Sequence, residues 1–125
     1  MKMGDMNKNF SRYEFSCPCG CGFDTADYML VIVVQDVRDH FDERTVISCG
    51  CRCKMHNITI GGSLFSQHMY GRAADIVVNN VHPDEVYKYL DKKYKGKFGV
   101  GGYNHHTHID TRSGTPWRET GMISK

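Results

Sequence analysis

Two clusters of imidazoles and carboxylates, far apart in the chain, set the terms on which it can fold. The first is Ser66-Gln67-His68-Met69-Tyr70-Gly71-Arg72-Ala73-Ala74-Asp75, and the second is His106-Thr107-His108-Ile109-Asp110. A catalytic zinc takes three protein ligands and keeps one position open. His68, Asp75 and His108 would supply such a set from distant segments. Side chains alternate along a strand, so His106, His108 and Asp110 share one face while Thr107 and Ile109 point the other way. Taken alone, H-x-H-x-D reads more plainly as a polar strand surface, His68 as a loop histidine capping a backbone group, and Asp75 as an edge carboxylate facing water. Asp75 leads into the apolar Ile76-Val77-Val78. A carboxylate partly buried there is costly without a partner, and a metal ion would remove that cost.

The two clusters together say more than either. The pattern S-x-H-x-x-G-x-A-x-D, carried by Ser66, His68, Gly71, Ala73 and Asp75 and followed by H-x-H, resembles the zinc D-Ala-D-Ala carboxypeptidases and related peptidoglycan peptidases of family M15. Ser48-Cys49-Gly50-Cys51-Arg52, then Asn57 and Gly61-Gly62, is similar to the S-G-x-R…N…G-G run before the first histidine of that family. Phe10-Ser11-Arg12-Tyr13-Glu14-Phe15 resembles the start of its phage-type members, so the resemblance spans residues 10 to 112. It implies an α+β fold with a small antiparallel β-sheet flanked by helices, hedgehog/D-Ala-D-Ala-peptidase-like. It implies a catalytic zinc on His68, Asp75 and His108. It also implies that Arg52 holds the substrate carboxylate or polarises the scissile carbonyl, roles that suit a permanently charged, forked guanidinium. Without the resemblance, Arg52 is a surface arginine. Ser66 would position the ligand loop or contact substrate, because a water activated by zinc leaves no need for a serine nucleophile.

The general base is where the sequence departs from the family. Many members carry Asp or Glu three residues before the last ligand, and here that residue is His105. Related enzymes have a non-ligating histidine two residues before the ligand, which matches His106. Histidine exchanges protons near neutral pH. His106 is the first candidate and His105 the second. Asp110 is either a base or the acceptor that orients a ligand imidazole. His40, His56 and His82 read as incidental.

Six cysteines fall in two groups, Cys17-x-Cys19-x-Cys21 and Cys49-x-Cys51-x-Cys53. Three states are open to them. A second, structural zinc would take four. Disulfides would need an oxidising route. The third state is plain reduced thiols. Neither group has C-x-x-C spacing, which weakens a zinc-ribbon reading.

A chain of 125 residues is expected to form one domain with a modest core, here residues 10–125 after a flexible polar stretch 1–9. A net charge of +2 without a long basic run gives no case for nucleic acid. The longest apolar run, Met29-Leu30-Val31-Ile32-Val33-Val34, is far short of the ~20 residues of a membrane span. Met1 to Phe10 lacks an apolar core and a small-residue cleavage site, so no secretory signal is read, which also argues against disulfides. A protein made in the cytoplasm would then meet a cell wall through phage-type release or as a virion component.

Thr25 is a plausible N-cap, and Leu30, Val33, Val34, Val37 and Phe41 have helical spacing, so a helix is expected over 25–41. Strands are expected over 44–49 and 72–78, with a long irregular loop at 50–67 between them. Pro83, Asp84 and Glu85 open a second helix that Gly96 ends. Strands 98–103 and 106–111 follow. The leading functional expectation is a monomeric zinc peptidase that cuts an amide bond in the peptide stem of bacterial peptidoglycan, as a carboxypeptidase or an endopeptidase, in the setting of a phage lysin. The alternative is a module of the same fold that has lost catalysis and binds wall peptides or a protein partner, a reading that His105 keeps open. A small structural protein stapled by its cysteines would require the His/Asp pattern to be coincidence.

Overall fold

Among the described residues, five short strands form one mixed sheet in the order β1-β2-β4-β3-β5. They are β1 (Thr45–Cys49), β2 (Ala73–Val78), β3 (Gly99–Gly102), β4 (Thr107–Asp110) and β5 (Trp117–Glu119). The computed structural model describes residues 4–120. Residues 1–3 of the expected flexible stretch and residues 121–125 of the expected domain lie outside the described residues. The α+β class is as expected, but the sheet is not wholly antiparallel. β5 has no counterpart among the expected strands and runs parallel to β3. Its three residues, next to Gly114 and Pro116, are too few to show a period of two.

Helices α1 (Tyr28–Phe41) and α3 (Pro83–Lys93) share one core with the sheet. Leu30, Val31, Val33, Val34 and Val37 of α1 are buried with Ile76, Val86, Leu90, Val100 and Ile109. The β-branched run is stiff and a poor intrinsic helix former; packing of its apolar face decides in favour of helix. The N-cap is Asp27 rather than Thr25. Tertiary bonds fix that start: the Asp27 N–H donates to the Gly71 carbonyl at 2.7 Å, and its carboxylate accepts from the Thr111 hydroxyl at 2.7 Å. On α3, His82 Nδ1 accepts from the Asp84 N–H at 3.0 Å and caps the helix. Asp84 and Glu85 in its first turn and Lys92 and Lys93 in its last complement the helix dipole.

Asp36 clamps α1 to α3. Its carboxylate accepts from the Tyr89 and Tyr94 hydroxyls, each at 2.8 Å, and from Lys93 Nζ at 2.9 Å. Burial works against its ionisation, but Lys93 and the two phenols outweigh burial and hold the carboxyl below its ordinary range. Asn7 and Asn9 tie the N-terminal segment to α1, through the Val31 carbonyl at 3.2 Å and Gln35 Oε1 at 3.0 Å.

The segment expected to be wholly irregular contains a short helix, α2 (Lys54–Thr59), capped by Cys53. Its inner side buries Asn57, while Met55 and Ile58 are exposed. An inner face without an apolar stripe leaves no helical period to read.

Candidate metal centre

The antiparallel pairing of β2 with β4 sets Asp75 directly opposite His108. Directly opposed side chains on one face of a sheet lie close together. His68 arrives from a tight 3-10 turn, Gln67–Tyr70, immediately before β2. Ser66 starts that turn, its hydroxyl accepting from the His68 N–H at 3.2 Å. The result is convergence on one oxygen: His68 Nε2 lies 3.4 Å and His108 Nδ1 3.1 Å from Asp75 Oδ1. His106 Nε2 lies 3.8 Å from Asp75 Oδ2.

The other nitrogen of each ring is already committed. His68 Nδ1 is 2.6 Å from the Gly50 carbonyl. A carbonyl only accepts, so Nδ1 carries the proton and the neutral ring turns its Nε2 lone pair toward Asp75. His108 Nε2 is 2.7 Å from Asp110 Oδ2 and donates to it, which leaves Nδ1 facing Asp75. Asp110 is fully buried and takes a two-pronged bond from Arg112, with Nε to Oδ1 and Nη2 to Oδ2 each at 2.8 Å. β3 makes room for that carboxylate. Gly99 is paired with Asp110, and a Cβ there would collide with the carboxylate. The Trp117 and His108 rings meet nearly at right angles, with their centroids 5.6 Å apart.

Two lone pairs facing one carboxylate call for positive charge. Burial pushes Asp75 up, but His108 and His68 overcome it and hold the carboxyl far below its ordinary range. Burial pushes His68 down, but Asp75 and Cys49 lift it to about 9. Burial likewise lowers His108, and Asp110 and Asp75 raise it on balance. Burial raises Asp110, and Arg112 and His108 hold it far below the usual carboxylate range. Protons meet the demand for charge when no metal is present, and a divalent cation would displace them. His106 differs, because burial lowers it and keeps its ring neutral. It stacks on Tyr103 at 4.8 Å. His105 is exposed in the turn between β3 and β4.

Arg52 joins the turn that carries His68, its N–H donating to the His68 carbonyl at 2.9 Å. Its Nη1 donates to Asn57 Oδ1 at 2.8 Å, and Asn57 Nδ2 donates to the Ser63 carbonyl at 2.9 Å. Gly62 leaves space for the pair, since a Cβ there would overlap the Asn57 amide and come within 2.7 Å of Arg52 Nη1. Arg52 Nε is buried and has no protein partner among the described residues. Beside this corner, Phe23, Leu64, Phe65, Met69 and Tyr70 line a largely apolar groove of about 640 Å³.

The cysteines do not act as one set. Cys17, Cys19, Cys21 and Cys53 come together, with all four Sγ atoms within 4.8 Å of one another. Cys51 is buried and its thiol donates to the Phe23 carbonyl at 3.0 Å. Cys49 faces Asp75 across β1 and β2, with Sγ 3.8 Å from His68 Nδ1. Cys49 Sγ, a His68 ring nitrogen and an Asp75 carboxylate oxygen all lie within 4.8 Å of one another, so this thiol borders the candidate metal centre. Burial opposes ionisation of Cys49, but His68 and Arg52 lower its pKa on balance. The sequence reading had no way to separate Cys49 from its neighbours. It also missed the Gly50 carbonyl, Arg112, Tyr103 and Trp117. Arg112 had a signal, lying two residues beyond Asp110 on the strand alternation.

A family model described as Peptidase M15 matches residues 8–110. No curated protein matches the chain.

Proposed function

The chain belongs to the peptidase M15 family, and on that premise we propose that it is a zinc-dependent peptidase hydrolysing an amide bond in the peptide stem of bacterial peptidoglycan. One observation carries the metal part of this reading. His68 Nε2 and His108 Nδ1 both face Asp75 Oδ1, and the opposite nitrogen of each ring is held by Gly50 or Asp110. Two imidazole nitrogens and one carboxylate oxygen suit zinc and leave a fourth position open. Gly50 and Asp110 fix the tautomers that point lone pairs inward, as outer partners of metal ligands commonly do.

When bound, zinc supplies polarisation of the scissile carbonyl and lowers the pKa of a water to about 7. The side chains do the rest. His106, neutral and beside Asp75, takes the proton from the attacking water and returns it to the leaving amine. His105 is the second choice, being exposed in the adjoining turn. Asp110 is an orienting group, because Arg112 and His108 occupy both its oxygens. Arg52 binds the substrate carboxylate or the developing oxyanion with the guanidinium that Asn57 holds. Ser66 holds the His68 turn. The apolar groove next to Arg52 fits the side chains of a peptide. The protein would act as a monomer on the cell wall, after phage-type release or from a virion.

His105, where many relatives carry a carboxylate, favours one other reading: a zinc-holding module that binds wall peptides without cutting them. Digestion of purified peptidoglycan by zinc-loaded protein, with His68→Ala as control and products read by mass spectrometry, separates the two. New stem fragments absent from the control are expected, and they name the bond cut. An intact wall after treatment with metallated wild type would overturn the peptidase reading in favour of the binding module.

A further inference from the structure

We propose that Cys17, Cys19, Cys21 and Cys53 form a second metal site, a tetrathiolate zinc that fastens the N-terminal strap to the segment carrying Arg52. All four sulfurs lie within 4.8 Å of one another, with Cys17 to Cys19 at 3.5 Å and Cys19 to Cys53 at 3.7 Å. Ligands at the Zn–S length of about 2.3 Å stand about 3.8 Å apart at the corners of a tetrahedron. A disulfide needs its sulfurs about 2.05 Å apart. The spacing is that of four ligands around one ion.

Backbone donors are already turned to the sulfurs. The Cys53 N–H donates to Cys17 Sγ at 3.4 Å, and the His56 N–H donates to Cys53 Sγ at 3.3 Å. Such bonds favour the anionic form of sulfur, which is the form that binds metal. Soft thiolates select zinc over magnesium or calcium. The other two cysteines take no part, Cys49 lying beside His68 and Asp75 and Cys51 bonding to the Phe23 carbonyl. The C-x-C-x-C run is compatible with this site because its backbone turns on itself rather than extending. Gly20 has φ +82° and Gly22 φ +92°, and the Gly20 N–H returns to the Cys17 carbonyl at 3.3 Å.

The location gives the site its consequence. Cys53 follows Arg52 and caps α2, which carries Asn57, the partner of the Arg52 guanidinium. An ion shared by Cys53 and residues 17–21 would hold this corner of the substrate site from outside it. The proposal stands apart from peptidase activity, and its test reads metal and spectrum.

The experiment is cobalt reconstitution of the full chain, with metal content by mass spectrometry, on wild type, His68→Ala and Cys19→Ser/Cys21→Ser. Cys19 and Cys21 are exposed, so the serines disturb no core. Sulfur-to-cobalt charge transfer of a tetrahedral thiolate site is expected in wild type and His68→Ala and is lost in the double serine variant. Bound metal falls from two equivalents to one in each variant. The wild-type spectrum gives an answer even if the double variant fails to fold. Absence of that spectrum in wild type, or a disulfide among these four cysteines in protein purified without oxygen, overturns the site.

Discussion

The centre at His68, Asp75 and His108 and the cluster at Cys17, Cys19, Cys21 and Cys53 both gather metal-binding side chains, but the backbone holds them in different ways. Asp75 and His108 sit on paired strands in register, and each imidazole is braced through its second nitrogen. The cysteines sit on a turn and at the end of a six-residue helix, and Cys19 and Cys21 are exposed. In the first region main-chain pairing makes the geometry and an ion adds chemistry. In the second the protein supplies ligands, and an ion would supply the order.

The largest expected effect breaks the first region alone. His108→Ala should reduce hydrolysis to background while the far-ultraviolet circular dichroism stays native, since β4 keeps its ladder on both sides. Asp110→Asn should be milder. It keeps the shape but weakens the acceptor for His108 and the partner of Arg112, so zinc affinity or turnover should fall by about 10–100-fold, as read by competition with a chromophoric chelator. Gly62→Ala tests the corner where the two regions meet. Its Cβ displaces Asn57 and Arg52, and KM should rise by on the order of tenfold, equivalent to about 1.4 kcal/mol, with little change in kcat. An unchanged KM would remove Arg52 from substrate binding.

The smallest effect lies away from both regions. Asp36→Asn should cost about 1 kcal/mol at pH 7, because the acceptor loses its charge and one of the two oxygens that accept these bonds becomes an amide NH2 that only donates. The sign of its pH dependence follows from the lowered pKa of Asp36. Its stabilisation is fully present above the unfolded value of about 3.9 and fades as pH falls through the lower folded value. The difference in Tm between wild type and Asp36→Asn should therefore shrink below about pH 4; a gap that widens in acid would contradict the assignment.

Much of this was legible in the sequence because it is periodic or local. Valines and leucine at helical spacing marked α1, Pro83 with its acidic neighbours marked α3, and strand alternation put His106, His108 and Asp110 on one face. What escaped depends on contacts between distant segments. β5 has three residues and no pattern of its own. α2 buries an asparagine for the sake of Arg52. The partition of six cysteines into four, one and one follows from the path of β1 past His68, which spacing does not encode.

The most direct test is a zinc anomalous difference map from crystals of the zinc-loaded protein. The account predicts a peak bounded by His68 Nε2, Asp75 Oδ1 and His108 Nδ1, with a second among the four thiols. No peak between the two imidazoles and Asp75 would contradict the metal centre on which the proposed peptidase chemistry rests.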